Sequence, residues 1–175
     1  MPGTPSLRVL FVSSGNLCRS PMAEAVLRAL AREPGAQTAA SPASAGLREV
    51  QAGRPADERA VAAAAARGYD LRAHLARALC REDFERFDVI VGMGPGHQTE
   101  ILKRRPPGSP AAVCSLPDFV DSPHPAEIPD PSAGTLEDFA RALDWIEAGC
   151  RGLERALRPV AARRSAPAPE LACSR

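Results

Sequence analysis

The chain has 175 residues, 45% of them hydrophobic and 25% charged, enough for one substantial core and too few for two comfortable domains. Lys plus Arg number 22 against 21 Asp plus Glu, a formal net charge of +1, so no global field draws the chain to nucleic acid or to an acidic membrane; any anion recognition must be local. No stretch has the length of a membrane span or a secretory h-region, and the cysteines at 18, 80, 114, 150 and 173 show neither a CxxC nor a metal-ligand spacing, so the expectation is a soluble, cytoplasmic protein with free thiols, no metal and no cofactor.

In chain order, Leu7 to Val12 is an apolar run without strict alternation, the pattern of a parallel strand buried on both faces. Ser20 offers an N-cap and Pro21 an N1 residue for a helix from Met22 to about Arg32, stopped by Pro34-Gly35. Thr38 to Ala45 reads as a weak second strand that Pro42 restricts to an edge. Asp57 to Arg67 is an alanine-rich helix with Gly68 as its stop, and a short helix is predicted from Ala73 to about Cys80. Phe87 to Met93 is the clearest later strand; Gly94-Pro95-Gly96 turns it into a helix near His97 to Lys103, and Ala111 to Ser115 forms a fourth strand. Pro117 to Pro131 is a Pro- and Asp-rich surface loop. From Thr135 to Leu157, Phe139, Leu143, Ile146 and Leu153 recur at helical spacing.

Alternating strands and helices imply right-handed crossovers and a single-domain α/β fold: an open, doubly wound sheet of about four parallel strands with helices on both faces, spanning residues 1–158. Residues 159–175, rich in Ala, Arg, Pro and Ser without periodicity, are expected to be a disordered tail. In such a sheet the ligand site lies at the carboxyl ends of the strands, where the chain reads Ser13-Ser14-Gly15-Asn16-Leu17-Cys18-Arg19-Ser20-Pro21.

That loop has the parts of a phosphate cradle. Gly15 and Asn16 are the residues best suited to positive φ, which would turn the backbone N–H groups of residues 14–19 inward. Arg19 supplies a planar charged fork for two phosphoryl oxygens, and the following helix adds the partial positive charge of its N-terminus. Taken alone, SSGN is an ordinary turn; the strand, loop, arginine and helix start together select anion binding.

GNLCRSP followed by Met22-Ala23-Glu24-Ala25 resembles the active-site signature of the low-molecular-weight protein-tyrosine phosphatases, hydrolases of phosphomonoesters. Ser44-Ala45-Gly46, Gly53-Arg54-Pro55-Ala56-Asp57, Gly68-Tyr69-Asp70-Leu71, His74 with Ala76-Arg77, Phe87-Asp88, Asp130-Pro131 and Leu136-Glu137-Asp138-Phe139 follow in the same order, over roughly residues 7 to 157. The resemblance implies the phosphatase-I, flavodoxin-like architecture. It also implies a nucleophile position at Ser13, a phosphate-binding arginine at Arg19, and a general acid and base at Asp130, whose pKa an apolar lid and a bound dianion would raise. Ser20 would hydrogen-bond the nucleophile, and His74 and Asn16 would brace the loop. The implied partners are a phosphotyrosine-containing protein or a small aryl phosphate, with inorganic phosphate competing. No chemical role is expected for His97 or His124.

The chain departs from the family pattern at the centre of the chemistry, because the family attacks phosphorus with a cysteine thiolate where this chain has Ser13. A hydroxyl starts on the order of six pKa units above a thiol, which at ~1.4 kcal/mol per unit is roughly 8 kcal/mol. A serine nucleophile recovers this from an adjacent general base, and the neighbouring sequence offers no His or Lys for it. Cys18 is too close to Arg19 in sequence to lie on the loop floor and replace it. Gly94 stands where the family often has an aspartate, and Ser132 where it has an aromatic wall for the substrate ring. The expectation is phosphate binding with turnover lost or strongly impaired. Either a substrate-trap substitution or a naturally degenerate pseudophosphatase fits, the changes at Gly94 and Ser132 favouring the second. A thioredoxin-coupled arsenate reductase ranks last, since it needs the loop thiol and two further cysteines.

Overall fold

β1 (Leu7–Ser13) runs through the middle of the molecule and is buried on both sides: Leu7, Val9 and Phe11 join one apolar cluster, Leu10 and Val12 the other. This is a computed structural model describing residues 6–165 except Gly35, Gln37 and Ser122. β1 pairs in parallel with β2 (Ala40–Gly46) and β3 (Val89–Gly92), and β3 with β4 (Ala112–Ser115), giving the order β2-β1-β3-β4. Helices α1 (Arg19–Leu30), α2 (Glu58–Ala65) and α5 (Leu136–Ser165) pack with Phe11, while Phe84 of α3 (Asp83–Arg86) and Ile101 of α4 (Pro95–Arg104) pack with Leu10. The sheet is therefore doubly wound. Fully burying a side chain such as Phe11 or Ile101 contributes about 1.5–3 kcal/mol, so both layers stabilise the strand that carries Ser13.

Three expectations are corrected. The helix expected over Ala73–Cys80 is absent, because the polar groups of that segment bond elsewhere: Gly46 N–H donates to Arg77 O at 2.8 Å, Leu79 N–H to Gly46 O at 2.8 Å, and Ala76 exchanges bonds with Gly53 and Arg54. The segment runs extended past the end of β2, bridging Gly46 to Ala78 and Pro55 to Leu75. α1 begins at Arg19, earlier than expected, with Cys18 at the N-cap and no side-chain cap. Ser20 thus lies inside the helix, its hydroxyl turned to the loop, and Pro21 sits in the first turn, where a missing N–H costs nothing.

The third correction concerns the disordered tail expected from Pro159. α5 carries on through Pro159 to Ser165, because Leu157 and Ala161, both buried, prolong the stripe of Leu143, Ile146, Cys150 and Leu153 by one more turn. Residues 166–175 of that expected tail lie outside the described residues. No helix among the described residues is long and apolar enough to cross a membrane.

Candidate functional site

The carboxyl end of β1 delivers Ser13, 3% exposed, to the floor of a cavity of about 160 Å³ that Ser14, Gly15, Leu17, Cys18, Arg19 and Asp130 help to line. Ser13 Oγ lies 2.7 Å from Ser20 Oγ, and Ser20 Oγ accepts from Asn16 Nδ2 at 2.9 Å. Ala45 O, the other acceptor open to the Ser20 proton, is 3.4 Å away. The shorter contact makes Ser13 Oγ the better acceptor of that proton.

Asn16 shapes the loop. Its φ of 57° is left-handed, which Asn tolerates better than most residues. Its Oδ1 accepts from Arg77 N at 2.9 Å and its carbonyl from His74 Nε2 at 2.7 Å, so the extended segment after α2 braces the loop from outside. Gly15, expected to share the positive φ, is absent from the left-handed positions among the described residues.

Arg19 is nearly enclosed, its side chain 4% exposed. Nη1 donates to Glu127 Oε1 at 2.8 Å and to Ile128 O at 3.0 Å, and Nη2 to Asp130 Oδ2 at 2.8 Å. Burial pushes the Asp130 carboxyl up, but the Arg19 guanidinium, the hydrogen bonds from Ser132 and the nearby His97 together hold it below the usual carboxylate range. Asp130 is therefore an ionised partner of Arg19; the raised pKa expected of it as an acid belongs to the state with a dianion bound. Its loop is pinned on both sides: Ile128 N–H donates to Met93 O at 2.8 Å, and Arg59 reaches Ser132 O at 2.9 Å and Gly134 O at 2.7 Å.

Cys18 borders the same cavity, where burial first, then Asp57 and Asp130, push its thiol up to about 12. A thiol so raised is protonated at neutral pH and is a poor nucleophile. Among the described residues no cluster of three or more His, Cys, Asp or Glu side chains is arranged to hold a metal ion.

Two participants escaped the sequence. His97, expected to be inert, is 7% exposed with Nε2 3.0 Å from Ser14 Oγ and Nδ1 3.6 Å from Glu127 Oε1; burial, then Arg19, lower its pKa against the upward pull of Glu127 and Asp130. Glu127 was one acidic residue in a polar loop, and its only sequence signal is its place three residues before Asp130. Without the turn of the loop, nothing aims it at Arg19. His124, exposed, bonds only the neighbouring Pro125 carbonyl among the described residues.

A family model described as low molecular weight phosphotyrosine protein phosphatase matches residues 8–162. The chain belongs to that family. Among its relatives, a low molecular weight protein-tyrosine-phosphatase of Streptomyces coelicolor is 37% identical over 157 residues, covering 86% of this chain and 93% of that protein. Among solved structures, the Entamoeba histolytica protein tyrosine phosphatase with Hepes in its active site superposes with a TM-score of 0.83 at 32% identity, over 89% of this chain and 99% of that one. A cysteine-to-serine mutant of YwlE arginine phosphatase, with a phosphorylated active-site serine, superposes with a TM-score of 0.76 at 28% identity, over 87% of this chain and 96% of that one. Members of the phosphatase family act on phosphotyrosine, and its four-stranded parallel sheet is the one found here.

Proposed function

We propose that the loop from Ser13 to Arg19 binds the phosphate dianion of a phosphotyrosine-containing protein or a small aryl phosphate, and that hydrolysis is lost or strongly impaired because Ser13 occupies the nucleophile position. The observation that carries this reading is the setting of the Ser13 hydroxyl. Its hydrogen-bond partner among the described residues is Ser20 Oγ, and no His, Lys or carboxylate is hydrogen-bonded to it. Ser20 can stabilise charge on Ser13 Oγ, but a hydroxyl is no base. Cys18, with its raised pKa, supplies no substitute thiolate.

The binding half of the chemistry is intact. Arg19 lines the cavity beside the uncapped start of α1, so a dianion would meet a cation and the positive end of the helix. A dianion on Arg19 would also reverse the field at Asp130, favouring its protonation and its use as an acid toward a leaving oxygen. One slow transfer is compatible with this arrangement. Ser13 Oγ bonds to phosphorus as the bond from phosphorus to the leaving oxygen breaks; the leaving phenolate takes its proton from Asp130, and the Ser13 hydroxyl proton passes to an oxygen of the transferred phosphoryl group. The YwlE mutant with its phosphorylated serine supports a serine accepting a phosphoryl group on this scaffold.

Incubation with an aryl phosphate, followed by intact-mass measurement and phosphate titration, tests the reading. Expected are saturable phosphate binding that Arg19→Ala abolishes, and at most one phosphoryl group gained per chain, located on Ser13. Multiple rapid turnovers by the unmodified chain, or binding that survives Arg19→Ala unchanged, would overturn it.

A further inference from the structure

Arg19 is held by two acidic side chains, and they stand on different sides of it. Asp130 takes Nη2 and lines the cavity; Glu127 takes Nη1 together with Ile128 O and does not line it. The stretch bearing Glu127 is anchored, since Ile128 is wholly buried and its N–H donates to Met93 O. Asp130 lies two residues further along; the two side chains are about equally exposed, 48% for Glu127 and 46% for Asp130, so it is the anchoring at Ile128 that sets Glu127 apart.

The seat of Glu127 is made by Gly94. The backbone there is extended, φ 172° and ψ 177°, a conformation that does not itself require glycine. Space requires it: a Cβ on residue 94 would stand 2.6 Å from Glu127 Cγ, 2.7 Å from Glu127 Cβ and 3.1 Å from Glu127 Cα. Any larger residue at 94 would drive Glu127 off Arg19. His97 flanks the seat, its buried Nδ1 without a hydrogen-bond partner among the described residues and 3.6 Å from Glu127 Oε1, which favours the tautomer with the proton on Nδ1.

We infer that Glu127, seated in the space left by Gly94, is the positioning residue that fixes the Arg19 guanidinium from behind so that Nε and Nη2 face the phosphate. Nη1 is consumed by Glu127 and the Ile128 carbonyl, which sets the plane of the fork; a fork held in plane loses less freedom on meeting two phosphoryl oxygens. Glu127 does not touch the ligand and is no acid or base in the reaction. This inference rests on phosphate being bound by Arg19, and it adds which residue makes that arginine competent.

The test uses the full chain, inorganic phosphate as titrant, and the ¹H–¹⁵N spectrum of arginine side chains, with melting temperatures as the check on folding. Glu127→Ala is expected to weaken phosphate binding by about tenfold and to collapse the separate Nη signals of Arg19 through freed rotation about its Cζ–Nη bonds. Glu127→Gln, which keeps an oxygen acceptor, is expected to recover most of the binding, and Gly94→Ala to reproduce Glu127→Ala. If Glu127 were only a competing negative charge, both Glu127→Ala and Glu127→Gln would tighten binding, which would overturn the inference. Unchanged Arg19 signals in Glu127→Ala or in Gly94→Ala would do the same. Should the unmodified chain bind no phosphate at all, the proposed function fails, while the Arg19 signals still decide the role of Glu127.

Discussion

Arg19 is the residue on which the site turns, and its two carboxylates have opposite consequences. Asp130 is ionised and faces the cavity, so it competes with an incoming dianion for Nη2. Asp130→Asn removes that competitor, and inorganic phosphate is expected to bind about three- to tenfold more tightly at neutral pH, measured by calorimetry. Asn16 is the second critical residue. Its left-handed backbone and two side-chain hydrogen bonds are supported by different parts of the molecule, and Asn16→Ala would strain the backbone and leave Arg77 N–H without its acceptor. A loss of about 2–4 kcal/mol in urea unfolding is expected. Asn16→Gly relieves the strain but not the lost bonds, so it should remain destabilised; a Gly variant as stable as the unmodified chain would refute the bonding role.

At the scale of elements, the extended run from Leu75 to Cys80 links the loop to the rest of the molecule, and Asp83 at the start of α3 secures it. Asp83 is buried, accepts from Arg77 Nη1 at 2.9 Å and Nη2 at 3.0 Å, and accepts from Cys80 N–H at 2.9 Å. Burial pushes its carboxyl up, yet the Arg77 and Cys80 hydrogen bonds outweigh this and hold its pKa below the ordinary value. A carboxyl depressed in the folded state stabilises above its unfolded pKa of about 3.9, and that contribution is lost as pH falls through the lower folded value. Asp83→Asn is thus expected to lower stability by about 2 kcal/mol at pH 7, with the gap closing below about pH 4 in urea titrations. A gap that widened on acidification would contradict the sign. This segment also marks a limit of reading the sequence. Residues 73–80 have helix-compatible composition, but their partners, Gly46, Gly53 and Asn16, are distant in sequence, and those long-range bonds outweigh local propensity. β1, β3, β4 and α4 were legible because apolar runs and Gly-Pro turns are local signals, whereas β2, with no apolar run, was only a weak strand by sequence.

For the whole molecule, the doubly wound sheet sets one strand end, two helix starts and one returning loop around Arg19. The loop signature, Asp130 and the bracing His74 were legible as a resemblance. The contacts of His97 with Ser14 and of Glu127 with Arg19 were not, because they come from packing that no short window contains. Under the proposed function the assembled site has the parts to hold a phosphate dianion, while among the described residues Ser13 Oγ is hydrogen-bonded to Ser20 Oγ and to no base. Hydrolysis of an aryl phosphate by the unmodified chain beside its Ser13→Cys variant tests this most directly. Near-background turnover is expected for the unmodified chain and a gain of at least about a thousandfold for Ser13→Cys, because a thiolate replaces an unactivated hydroxyl. Comparable rates in the two proteins, or a folded Ser13→Cys variant that remains inert, would contradict it.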